Sequence, residues 1–104
     1  MDALFVYVTA KDGGEAAMIA KTVVEERLAA CASILGGIQS VYWWQGKVCE
    51  DSEVALVLKT SGQWKDELIG RIKQLHSYET PCIVCLPIAS GNPAFLDWIR
   101  EETR

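Results

Sequence analysis

Ile38-Gln39-Ser40-Val41-Tyr42-Trp43-Trp44-Gln45-Gly46-Lys47 is the stretch that decides the fold. Its first arm is rich in β-formers, Gln45-Gly46 reads as a tight hairpin turn, and the chain returns from Lys47 to Thr60. Gly36-Gly37, just ahead, predicts a bulge or bend. Arms of about a dozen residues at about 3.3 Å per residue reach on the order of 40 Å. A domain of this length has a radius of gyration of only about 13 Å, so the hairpin is expected to overhang its own body. Trp43 and Trp44 are neighbours in a strand and face opposite ways, so both cannot enter one core layer. At least one is expected to pack on another subunit. An overhanging ribbon with bare edges invites aggregation, and closed symmetric assembly removes that hazard.

Upstream, Ala3 to Thr9 is a short apolar run that predicts a strand buried on both faces. Asp12 is placed to cap a helix, with Glu15 three residues on in the capping-box position. Ala16, Ile19, Ala20, Val23, Val24 and Leu28 follow at helical spacing, with Lys21, Glu25 and Glu26 on the wet side. β-type sequence begins at Cys31. Downstream of the hairpin, a second amphipathic helix is predicted over about residues 63–76, with Trp64, Leu68, Ile72 and Leu75 on one stripe. Pro81 to Ile88 reads as a fourth strand, and Pro87 argues for a sheet edge or a bulge. Asn92-Pro93 opens a terminal helix, since asparagine caps well and proline suits the first helical position. The order βαββαβ plus a helix is an α+β, ferredoxin-like arrangement of two split βαβ units in one domain, residues 1–104. Its helices would cover one face of an antiparallel sheet and leave the other face open.

Composition narrows the function. The formal charge of −4 comes from dispersed carboxylates, with clusters at Glu50, Asp51 and Glu53 and at Glu101 and Glu102. There is no basic stripe, which argues against nucleic-acid partners. No apolar run is long enough for a membrane-spanning helix, and the N-terminus lacks a secretory pattern, so a cytoplasmic location is the default expectation. Cys31, Cys49, Cys82 and Cys85 are accordingly expected as reduced thiols. Cys82 and Cys85 have C-x-x-C spacing but fall in a strand-like run that points them to opposite faces, so both are expected to be buried structural residues.

Several segments together resemble one family. Glu25-Glu26-Arg27-Leu28-Ala29-Ala30-Cys31 is similar to the end of the first helix in CutA, or divalent-cation tolerance, proteins. Ser40-Val41-Tyr42-Trp43-Trp44-Gln45-Gly46-Lys47 resembles their hairpin tip, and Leu58-Lys59-Thr60 their returning strand. His76-Ser77-Tyr78-Glu79-Thr80-Pro81 resembles their histidine-tyrosine-proline loop. Gly91-Asn92-Pro93 through Leu96-Asp97-Trp98-Ile99 resembles their C-terminal helix. The resemblance implies a homotrimer built like the PII signalling proteins, which bind small effectors in clefts between subunits. It also implies tolerance of, or binding to, copper or another divalent cation. Copper-binding members carry a cysteine in the first strand and paired histidines before the tyrosine-proline loop. Val8, Leu75 and His76 stand at the matching positions, so only the second histidine is kept. Ser77 stands where the family often has proline, and Cys82 where it often has glutamate.

His76 and Glu79 are therefore the candidate metal residues. His76, the only histidine, has an alternative role at a helix end, bonded to free carbonyls. Tyr42, Trp43, Trp44, Lys59 and Tyr78 are the candidate cleft residues, a set suited to a small anionic or amphipathic ligand. The competing reading, favoured for the tryptophans, makes the aromatics a subunit interface and leaves Lys59 solvated. The sequence holds no local Ser-His-Asp or Cys-His motif and no phosphate-binding glycine loop, so catalysis is not expected. The competing function is a non-catalytic trimeric scaffold that binds another protein.

Overall fold

Strand β1 (Ala3–Ala10) lies inside a four-stranded antiparallel sheet, between the third and fourth strands. The computed structural model describes residues 2–104. The remaining strands are β2 (Cys31–Trp44), β3 (Lys47–Ser61) and β4 (Ile83–Pro87), in the order β2-β3-β1-β4. Along β1 the residues alternate. Leu4, Val6 and Val8 face the helices and are buried, whereas Phe5 and Tyr7 on the opposite face are only half-buried. Burial on both faces thus fails at Phe5 and Tyr7, in the middle of the strand, where that face lacks full cover within the chain, whereas Ala3 and Thr9 near its ends are buried.

Helix α1 (Gly13–Glu25) starts where the Asp12 carboxylate accepts the Glu15 N–H at 2.8 Å. Its apolar stripe packs Ile19 and Val23, fully buried, with Val6, Val8, Leu56 and Leu58. Helix α2 (Lys65–Leu75) adds Leu68 and Ile72 to the same layer, and one 3₁₀ turn, Gly62–Trp64, precedes it. Each fully buried Leu or Ile contributes about 1.5–3 kcal/mol through its removal from water. The five such residues in this layer, Ile19, Leu56, Leu58, Leu68 and Ile72, make it the centre of stability. Helix α3 (Pro93–Glu102) is capped by Asn92, which accepts the Ala94 N–H at 3.1 Å, and buries Ile99 against Ala3 and Ala30.

The hairpin behaves as its length demands. Pairing is in register from Cys31 to Leu35, shifts at Gly36-Gly37, and resumes from Ile38 to Trp44. Gly37 adopts φ +75°, the left-handed backbone that the bulge needs and that glycine tolerates. At the tip Gln45 (φ 51°) and Gly46 (φ 78°) are both left-handed, which matches the twist of the two strands. The molecule is 44 Å along its longest axis with a radius of gyration of 14.0 Å, so the ribbon does overhang the body. β4 is a sheet edge, and Pro87 at its end lies opposite Leu4, where its missing N–H is tolerated. The burial expected of Cys82 is not found. Cys82 precedes β4 and is exposed rather than buried, while Cys85 packs against the core.

Candidate functional site

The segment after α2 is held by its own side chains. The His76 ring is buried, and its Nε2–H donates to the Thr9 carbonyl at 2.7 Å while Nδ1 accepts the Tyr78 N–H at 3.1 Å. That pair of bonds defines the Nε2–H tautomer and uses both nitrogens. Glu15, buried at the start of α1, accepts the Lys11 N–H with one oxygen and the Ser77 N–H with the other. Glu15 thus ties the loop to α1, and the His76 ring sits 4.8 Å from that of Tyr78. Burial pushes the Glu15 carboxyl upward, but hydrogen bonds from Ser77 and Lys11 outweigh it and hold the group below its ordinary value.

Tyr78 projects from this anchored loop towards the open sheet face. Its hydroxyl donates to Glu53 at 2.8 Å, and burial together with that carboxylate raises its pKa. Glu53, on β3, is only 7% exposed and forms no ion pair with any described residue. Further along the hairpin the Tyr42 hydroxyl bonds the Asp51 carboxylate, which pushes the phenol up to about 12. Between the two lies a cavity of about 840 Å³. Its walls are the β2 segment from Gln39 to Trp44, Glu53 on β3, Tyr7 and Thr9 on β1, and Tyr78, Glu79, Thr80 and Cys82. Pairing of Ile38 with Glu53 and of Tyr42 with Cys49 puts Tyr42 and Trp44 on the Glu53 side of the ribbon. Trp43 turns its side chain the other way and is 74% exposed. The opposed tryptophans are as expected.

The structure brings Tyr42, Trp44, Tyr78 and Glu79 together around this cavity, whereas Trp43 belongs to the same wall segment but turns its ring to the other face of the ribbon. It does not bring Lys59 or His76. Lys59 sits six residues along β3 from Glu53, roughly 20 Å at strand spacing, with its amine 5.8 Å from the centre of the Phe5 ring. The cleft is therefore acidic where a mixed or anion-binding set was expected. His76 is a structural residue within the chain, because both of its nitrogens are engaged. The position matching the family's copper-site cysteine, Val8, is fully buried in the core, and Leu75 packs beside it. Among the described residues no group of three or more His, Cys, Asp and Glu side chains can hold a metal ion. The residues of one chain do not fit the copper site that the resemblance implied.

Glu53, Tyr7, Thr9 and Cys82 were not among the sequence candidates. The signal for the first three lay in strand register. Thr9 pairs with Ala55, Tyr7 pairs with Val57, and Glu53 stands two residues before Ala55 on the same face. Choosing that register requires the tertiary fold.

A family model described as CutA1 divalent ion tolerance protein matches residues 4–102. The chain is 50% identical over 98 residues to the divalent-cation tolerance protein CutA of Thermus thermophilus, covering 94% of this chain and 95% of that one. It is 44% identical over 97 residues to the CutA of Archaeoglobus fulgidus, covering 93% and 94%. The solved Thermus Cut A1 structure superposes with a TM-score of 0.95 at 48% identity over 98% of this chain and 99% of that one. The CutA structure from Xylella fastidiosa gives 0.96 at 35% identity, with complete coverage of both chains. With its fold ferredoxin-like in all elements, this chain belongs to the CutA1 divalent ion tolerance protein family.

Proposed function

We propose that the chain is the subunit of a PII-like homotrimer that binds a divalent cation or a small effector in clefts at the base of the hairpin, without catalysis. The observation that carries this is the cavity walled by Trp44, Tyr42, Glu53 and Tyr78 on a sheet face that a single chain leaves open. Around it Leu35, Val84 and Leu86 are each about half exposed, and strands β2 and β4 have free edges. Apolar surface of this kind beside unpaired edges favours association of copies. A divalent ion in the cleft takes Glu53 or Glu79 and needs further ligands from a second copy.

Light scattering tests the assembly, with three chain masses expected and a stable folded monomer at micromolar concentration overturning it. Calorimetry with Cu(II), Zn(II) and common nucleotides tests the cleft. Saturable binding that Trp44→Ala abolishes is expected, and the absence of any saturable ligand counts against it. For location we propose the cytoplasm. One relative from rice is named chloroplastic and one Archaeoglobus structure periplasmic, so fractionation of the source cells is the test.

A scaffold role is the second reading. It is favoured by Val41, Trp43 and Val48, which make an exposed apolar row on the outer face of the ribbon. It predicts that Trp43→Ser releases a protein partner while the trimer persists; dissociation of the trimer by this substitution assigns the row to the subunit interface instead.

A further inference from the structure

The cavity has charge of one sign. Its charged side chains, Glu53 and Glu79, are both acidic, Asp51 lies one step along the ribbon, and the basic residue expected there, Lys59, sits elsewhere. Glu53 is the decisive member. It is more than nine-tenths buried, it receives a hydrogen bond from the neutral Tyr78 hydroxyl, and no described cation pairs with it. A buried carboxylate with no countercharge is costly, and a cation entering the cavity removes that cost. Aromatic side chains, Tyr7, Tyr42, Trp44 and Tyr78, line the same space, and the electron-rich face of such a ring attracts a cation that has shed much of its water. A bare metal ion gains little from such walls and finds too few oxygen or nitrogen ligands from one chain.

We infer that the cleft binds a small organic cation, with a protonated amine or quaternary ammonium head beside Glu53 and its hydrocarbon part against Tyr42 and Trp44. This rests on the cleft reading above and names its ligand class. The Tyr78 hydroxyl is already committed to Glu53 as a donor, so it orients the carboxylate rather than competing for the ligand. The cavity, about 840 Å³, lies in the usual size range for small-molecule sites.

Tryptophan fluorescence and calorimetry of the full chain test this with tetramethylammonium and butane-1,4-diamine, with sulfate and Zn(II) as contrasting probes. Saturable binding of at least one ammonium probe is expected, weakened at least tenfold by Glu53→Gln and by Trp44→Ala and unchanged by Lys59→Ala. Glu53→Gln keeps an oxygen that accepts the Tyr78 hydroxyl, so loss of binding with unaltered circular dichroism reports charge rather than folding. Ammonium binding indifferent to both cleft substitutions overturns the inference. So does sulfate or Zn(II) binding in place of the ammonium probes; if Trp44→Ala abolishes that binding, the cleft reading survives with another ligand class. If none of the probes binds, the inference falls, and the cleft reading falls with it only when Cu(II) and the nucleotides also fail to bind.

Discussion

The Ser77 N–H donates to a Glu15 carboxylate oxygen at 2.8 Å, joining two residues 62 positions apart in sequence. Glu15 was expected to close a capping box on Asp12, yet it reaches past the cap to Lys11 and Ser77. The pH consequence has a definite sign. The folded carboxyl sits below its ordinary value of 4.5, so the unfolded state takes up the proton first as pH falls. The stability it contributes is fully present above that ordinary value and is lost as pH falls through the lower folded value. Glu15→Gln is expected to cost about 1–3 kcal/mol at pH 7, since a charged acceptor is lost. Urea unfolding at pH 7 and pH 3 checks this; the gap between variant and wild type should shrink at the lower pH.

His76→Ala removes a buried ring that bonds Thr9 and Tyr78. A loss of about 1–3 kcal/mol is expected from the stranded Thr9 carbonyl and Tyr78 N–H. Hydrogen exchange at the Tyr78 amide should accelerate. Cu(II) titration should be the same for both proteins, because the ring nitrogens are already engaged; a weaker variant would mean that the ring leaves its pocket to bind metal.

Tyr42 titrates late because Asp51 holds its proton. Removing that charge in Asp51→Asn should bring one phenol down from about 12 towards its ordinary value of 10. Ultraviolet difference absorbance during alkaline titration measures this directly, with Tyr42→Phe identifying the band.

The tip tests backbone conformation without contact effects. A Cβ on Gly46 meets nothing within 4 Å, so Gly46→Ala adds only the left-handed backbone penalty of about 1–2 kcal/mol. Gln45→Asn should gain stability, since asparagine accepts this conformation more readily. Thermal unfolding of the two variants should shift in opposite directions.

Core and ribbon should respond differently. Leu68 is fully buried, and Leu68→Ala is expected to cost about 2.7–5 kcal/mol in denaturant unfolding. Trp43→Ser removes a ring that is 74% exposed and touches little within its own chain. Its effect should appear in assembly measured by light scattering, with helical circular dichroism unchanged.

The fold was legible where local chemistry repeats. The Asp12 and Asn92 caps, the helical stripe from Ala16 to Val23, the edge proline Pro87 and the Gln45-Gly46 turn all express preferences acting over a few residues. Hairpin length followed from counting residues at strand spacing, and the opposed tryptophans from the two-residue period of a strand. The aromatic part of the site was legible for the same reason.

Its charge was not. Lys59 and Glu53 share one face of β3, and only the fold puts Glu53 under Tyr78 and Lys59 over Phe5. His76 was readable as a helix-end residue, but its partner, the Thr9 carbonyl, lies 67 positions away and is brought near by the sheet. Caps, turns, periods and arm lengths are set by short-range sterics and hydrogen bonding, and these the sequence by itself determined. Strand register and the docking of the loop after α2 on the sheet depend on contacts between distant segments, so the tertiary structure alone decided that the cleft is acidic and that His76 lies outside it.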